Sequence, residues 1–184
     1  MTRFLGTFDK VGLGVHGLMK AFGWNRIGVI VQSHTDRIWL YTGDAINEII
    51  PTKGGMVAAS KIYDAEKNIT IKSILKEVAE VSRVIVLAVR GETLRELMLN
   101  AYEMGMTNGI YMFICIYYYL QKNTFGDISW KRNDNLDKKA KKAYESILFM
   151  AYYTPPVSQF YEFASQVKNR SQDLFNHQYD SDEE

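Results

Sequence analysis

The stretch that most constrains this chain is Arg83 to Ile116, which reads as strand, loop, helix, loop, strand. Val84 to Val89 is apolar and mostly β-branched. That is the composition of a strand buried on both faces, as in a parallel sheet. Leu94, Leu97, Met98 and Ala101 then recur at helical spacing, and Met104 closes the stripe. Glu92 sits in the first turn, where negative charge suits the helix dipole. Gly105 follows the last turn, where a left-handed cap favours glycine. Asn108-Gly109 turns the chain into a second apolar strand, Ile110 to Ile116. Two apolar strands joined by one amphipathic helix make a right-handed βαβ unit with parallel strands.

The same alternation extends towards the N-terminus. Val11, Val15, Leu18, Met19 and Phe22 mark a helix that Gly23 ends, and Arg26 to Gln32 is the next strand. A polar loop, Ser33 to Arg37, leads to a helix over 38–49 with Trp39, Ala45, Ile46 and Ile49 on its apolar side. Pro51 to Gly55 breaks that helix, and Met56 to Tyr63 is a weaker strand. After the loop Asp64 to Asn68, Ile71, Ile74, Leu75 and Val78 mark another helix. Strand starts near residues 26, 56, 83 and 110 lie about thirty residues apart, the length of repeated βα units. This predicts an α/β fold with a doubly wound parallel sheet.

Beyond Tyr119 the pattern changes. Gln121 to Asp137 reads as polar loop, and Lys138, Lys139, Lys141 and Lys142 as a solvated helix face. Ala143 to Tyr153 is apolar and is expected to be a strand leaving the first sheet. Thr154-Pro155-Pro156 starts a helix whose apolar face is Phe160, Phe163, Ala164 and Val167. Residues 176–184 form an acidic tail, expected to be disordered. The last helix has no later strand to pack against, which is the mark of an unfinished domain.

Composition removes several functions. A formal net charge of +1 gives no basic field for nucleic acid. The single cysteine, Cys115, lies inside an apolar strand and excludes an internal disulfide or a paired-cysteine metal site. The N-terminus has no apolar core of a secretory signal. Met104 to Gln121 is uncharged, but it falls short of the ~20 largely apolar residues of a membrane span.

Gly12, Gly14 and Gly17 match the spacing of a dinucleotide-binding loop, and Asp36 falls where an acid could bind a ribose. That chemistry needs a strand before the first glycine. Gly6 to Lys10 is no buried strand, so closely packed glycines in a helix are the better reading. A small cytosolic nucleotide-binding protein remains the alternative. His16, His34 and His177 have no metal-ligand spacing. Of these, His34 follows a strand's carboxyl end, where open α/β sheets bind ligands. Glu92, Glu96 and Glu103 read as a solvated helix face. No catalytic constellation, cofactor site or metal site is expected. Asn68-Ile69-Thr70 and Asn169-Arg170-Ser171 are glycosylation sequons.

With the units placed, four stretches form a recognisable series. They are Lys10-Val11-Gly12 through Leu18 to Arg26; Arg83 to Val86 with Leu97 to Ala101; Met106 to Phe113; and Ala143 to Ser146 through Tyr153 to Phe163. Together they cover most of residues 1–175, and the chain resembles the extracellular ligand-binding region of natriuretic-peptide receptors and other receptor guanylyl cyclases. The resemblance implies one lobe of a two-lobed, periplasmic-binding-protein-like type I domain. Residues 10–130 would be the second lobe, and residues 131–175 a crossover strand and a helix returning to a first lobe outside the chain. It implies a non-catalytic sensing fragment of a membrane receptor for cyclic GMP signalling. That receptor would be homodimeric, with an extracellular peptide or small molecule as ligand. Half of such a domain, expressed alone, is expected to aggregate.

The family's binding positions fall, by the same resemblance, on Gln32, His34, Trp39 and Tyr63. Aromatic character is kept at Trp39 and Tyr63 and lost at Gln32 and His34, which points to a changed ligand. A cysteine pair of the peptide-binding members corresponds to Ile38 and Thr107, both without sulfur here.

Overall fold

The computed structural model describes residues 8–33, 37–64, 70–119, 122–152 and 158–179. Helix α1 (Asp9–Ala21) leads into β1 (Arg26–Ser33), followed by α2 (Ile38–Thr52), β2 (Met56–Asp64), α3 (Ile71–Val81), β3 (Val84–Ala88), α4 (Gly91–Glu103) and β4 (Met112–Tyr117). Two short helices, α5 (Lys122–Phe125) and α6 (Asp137–Ala143), precede β5 (Ile147–Ala151), and α7 (Ser158–Phe175) comes last.

The five strands form one all-parallel sheet in the order β2-β1-β3-β4-β5. The chain steps outward from β1 to β2, returns past β1 to β3, and then continues in that direction. Right-handed crossovers put α2 on one face and α3, α4 and α6 on the other. Accordingly α1 packs on α2, α3 on α4, and α4 on α6. The doubly wound α/β sheet expected from the periodicity is present.

Apolar run and burial agree at the centre. All of β3 is buried, and β1 is buried from Ile27 to Gln32. On one face Ile30, Ile85, Leu87, Phe113 and Cys115 pack against Ile74, Leu75, Val78, Leu94, Leu97 and Met98 of the helices. Each such side chain is worth about 1.5–3 kcal/mol of transfer free energy. On the other face Gly12 lets α1 approach α2: a Cβ there would lie 2.8 Å from the Ala45 carbonyl oxygen and from Ile49 Cβ. The Gly12-Gly14-Gly17 series is therefore a packing device within α1, and no strand precedes it among the described residues. Asp36, its proposed ribose partner, lies outside the described residues.

Several boundaries differ from expectation for local reasons. Pro51 does not stop α2 before residue 50; it sits in the last turn, and Gly54 at φ +82° completes the exit. Strand β4 starts at Met112, because the Asn108-Gly109 turn, with Gly109 at φ +90°, leaves Ile110 exposed. The polar stretch 121–137 contains the short helix α5. The main correction concerns 143–153. Instead of leaving the sheet, Ile147–Ala151 pairs in parallel with Phe113–Tyr117 as its fifth strand. A tight turn at Tyr144–Ser146 redirects the chain from α6 into that strand.

Contacts divide the chain into a unit ending at Ala151 and a second beginning at Tyr152. Within the second, α7 exposes Tyr161, Phe163, Val167, Leu174 and Phe175. Thr154, Pro155, Pro156, the Phe160 side chain and residues 180–184 of the acidic tail lie outside the described residues.

Candidate functional site

In an open parallel sheet, the loops leaving the carboxyl ends of the strands form the natural ligand-binding edge. Here that edge comprises the ends of β1 at Ser33, β2 at Asp64, β3 before Arg90 and β4 at Tyr117–Tyr119. What lies there is assembled by three sets of contacts.

The first joins β1 to β3. Gln32 is 5% exposed, and its side-chain carbonyl accepts a hydrogen bond from the Arg90 amide at 2.9 Å. The second is aromatic. Trp39, in the first turn of α2, is 1% exposed, and its ring meets Tyr118 at 5.9 Å and Phe125 at 6.2 Å. Phe125 also touches Tyr117 at 6.3 Å and Tyr119 at 6.1 Å. The Thr42 hydroxyl donates to the Ile38 carbonyl at 2.6 Å, which leaves the Tyr118 hydroxyl to donate to Thr42. Tyr41 and Tyr119 carry this aromatic cluster to the surface, at 48% and 37% exposure.

The third is ionic and holds the loop after α5 against α4. Arg95 donates to the Trp130 carbonyl at 2.9 Å, to Asp134 at 2.7 Å and to Asp137 at 3.1 Å. Asp137 also accepts from the amides of Arg132 and Asn133. Arg132 and Lys122 pair with Asp127, and the Asp127 amide donates to Glu92 at 3.2 Å. Gly91 makes the approach possible, since a Cβ there would lie 2.3 Å from the Asp127 carbonyl carbon. The Arg95 hydrogen bond holds the Asp134 carboxyl below the usual aspartate range. For Asp127, burial pushes the other way, but the Ser129 amide, Arg132 and Lys122 together hold its carboxyl low. Burial first, then the charges of Glu96 and Asp64, pushes the Tyr63 phenol up.

The positions implied by resemblance fall unevenly. Gln32 and Tyr63 are register partners on β1 and β2, so the fold brings them together. Tyr63 is half-buried against the core. Gln32 and Trp39 are enclosed. His34 and Asn68 lie outside the described residues. Asn169 is exposed on α7. Ile38 opens α2 at the ligand-binding edge, whereas Thr107 lies before β4 at the opposite end of the sheet. A disulfide needs Cα atoms within about 7 Å, so the correspondence of those two positions to a bridged pair is corrected. Arg95, Asp134 and Asp137 were missed. The available signal was an arginine beside Leu94 in the apolar stripe, facing an aspartate pair just before a helix. Among the described residues there is no group able to hold a metal ion and no helix long and apolar enough to cross a membrane.

A family profile described as receptor family ligand binding region matches residues 2–183. Atrial natriuretic peptide receptor 3 of Bos taurus is 29% identical over 171 residues, which is 92% of this chain and 31% of that protein. The Rattus norvegicus receptor of the same name is 27% identical over 170 residues, with the same coverage. A receptor-type guanylate cyclase of Caenorhabditis elegans is 31% identical over 113 residues, 59% of this chain and 9% of that protein. The chain thus spans about a third of the length of the natriuretic peptide receptors it matches.

Proposed function

Because this chain belongs to the family of receptor ligand-binding regions, we propose that it is the second lobe of the extracellular sensing domain of a receptor guanylyl cyclase. It would feed cyclic GMP signalling without catalysing anything itself. The match over residues 2–183, together with relatives that include receptor guanylate cyclases, is the observation that supports this reading. The lobe is the five-stranded unit through Ala151. Residues from Tyr152 onward, including α7, return towards a first lobe, and the apolar residues of α7 suit burial there. In the parent receptor two such domains pair, and a peptide or small molecule bound between the lobes shifts their arrangement.

The ligand meets the carboxyl edge of the sheet through the segment around His34 and through Tyr63. Gln32 and Trp39 act from beneath, holding β1 and α2 in place. Asn68 and Asn169 are the candidate glycan acceptors. The test is to sequence the transcript on both sides of this segment. An upstream lobe with a secretory signal, and a downstream span and cyclase, are expected. Flanking sequence that encodes an unrelated enzyme in the same reading frame would refute the assignment. Within such a receptor, Tyr63→Ala should raise the ligand concentration needed for cyclic GMP production more than it lowers the maximum.

A further inference from the structure

We propose that the opposite edge of the sheet, where the strands begin, docks on an anionic phospholipid surface. This goes beyond the ligand-binding reading and does not depend on it. In a parallel sheet the turns entering every strand gather at one end, and here they carry both basic and apolar side chains. The register Gly28 to Ile85 places Arg26 beside Arg83 at the starts of β1 and β3. Between their turns runs a groove of about 460 Å³ lined by Gly23, Trp24, Arg26, Glu80, Ser82 and Arg83. Arg26 makes no ion pair among the described residues. The Arg83 guanidinium lies 4.8 Å from the Tyr111 ring centroid and donates to that residue's hydroxyl, which fixes it at the rim. Lys20 and Lys53, in the neighbouring turns, add positive charge, and the acids of these turns are Glu80 and Glu145.

The apolar side chains choose among anionic partners. Phe22 stacks on Trp24 at 4.7 Å and stays 57% exposed. Met56, Val81 and Ile110 are 50%, 39% and 56% exposed. Two backbone bonds, from the Met56 amide to the Asn25 carbonyl and from the Met112 amide to the Arg83 carbonyl, hold these turns side by side. A bilayer interface accommodates this combination: guanidinium groups pair with headgroup phosphates, while aromatic and aliphatic side chains enter the acyl boundary. A sulfated polysaccharide would use the charges and leave Phe22, Met56 and Ile110 in water. Seating this end on a bilayer also leaves the ligand-binding edge open.

The experiment is flotation of the 184-residue chain with phosphatidylcholine vesicles, with and without about one-third phosphatidylglycerol. Unlike sedimentation, flotation does not count aggregates as bound. The chain should float with the anionic vesicles alone. Arg26→Gln with Arg83→Gln should lower partitioning about 25-fold, about fivefold per charge. Phe22→Ser should weaken the salt-resistant part of binding. The pair Lys138→Gln and Lys139→Gln removes equal charge from exposed α6 positions and should leave partitioning unchanged. All these positions except Trp24, which is not altered, are exposed, and an unchanged thermal melt confirms folding. Three results each overturn the proposal: no flotation with anionic vesicles, equal loss in the two double variants, or retention on heparin by a chain that ignores vesicles.

Discussion

Replacing Arg95 by methionine should loosen the ligand-binding edge without disturbing the sheet. Methionine keeps the apolar stem and removes three hydrogen bonds, to the Trp130 carbonyl, Asp134 and Asp137. The Trp130 carbonyl loses the bond it receives from Arg95, a desolvation cost of about 1–3 kcal/mol. Asp137 keeps the Arg132 and Asn133 amides, so its loss is nearer ~0.5–1 kcal/mol. The Asp134 contact is left out of the sum, because solvent competes for that carboxylate. The expected loss is therefore about 2 kcal/mol, or about 4–8 °C in Tm for a unit of this size. Urea denaturation gives the first number, and amide exchange should show the loss concentrated in residues 127–137. A change below ~0.5 kcal/mol with unaltered exchange in that loop would refute the reasoning. The sign of the pH dependence follows from the direction of the shifts. Asp134 and Asp127 have folded-state values below their unfolded ones. Their stabilisation is complete above the unfolded aspartate value of about 4 and is lost as pH falls through the lower folded values. Arg95→Met should remove the Asp134 share of that acid sensitivity and leave the Asp127 share.

Gly91→Ala should cost about 1–3 kcal/mol in urea denaturation, because the new methyl meets Asp127 backbone rather than a side chain that can turn away. Tyr118→Phe should cost about 1 kcal/mol, and in a double-mutant cycle with Thr42→Val the two losses should be less than additive. Burial pushes the Cys115 thiol up to about 12. It should resist iodoacetamide at mildly alkaline pH and react once the chain is unfolded in denaturant. Rapid alkylation of the folded chain would contradict its place in the core.

The parallel sheet was legible because its central strands are written as unbroken apolar runs. Val84–Ala88 and Phe113–Tyr117 could be buried no other way, and Gly23 and Gly105 closed their helices where the sequence placed them. β5 was misplaced for a physical reason. Ala143 to Tyr153 is apolar throughout, and its redirection depends on a single tight turn with no glycine or proline to announce it. The binding edge was less legible still. Trp39 looks like a ligand-facing aromatic in sequence, but Phe125 and Tyr118 enclose it from segments some eighty residues away. Likewise Glu92 reads as solvated helix face, and only the fold brings the Asp127 amide to it. Ion pairs between distant segments leave no periodic trace, so Arg95 and Asp134 could not be joined from spacing alone.

The bond from the Arg90 amide to Gln32 has a further meaning. β1 and β3 are neighbours whose helices depart to opposite faces, so the loops diverge above them and open a crevice. In doubly wound proteins that bind nucleotides, such a crevice offers free amides to a phosphate. Here one of those amides is already taken by the chain's own carboxamide. A phosphate entering at that point would first have to break the bond and leave a buried carboxamide unpaired, at about 1–3 kcal/mol. The crevice is self-occupied, and a ligand of this edge rests on top of Gln32 rather than descending between the strands.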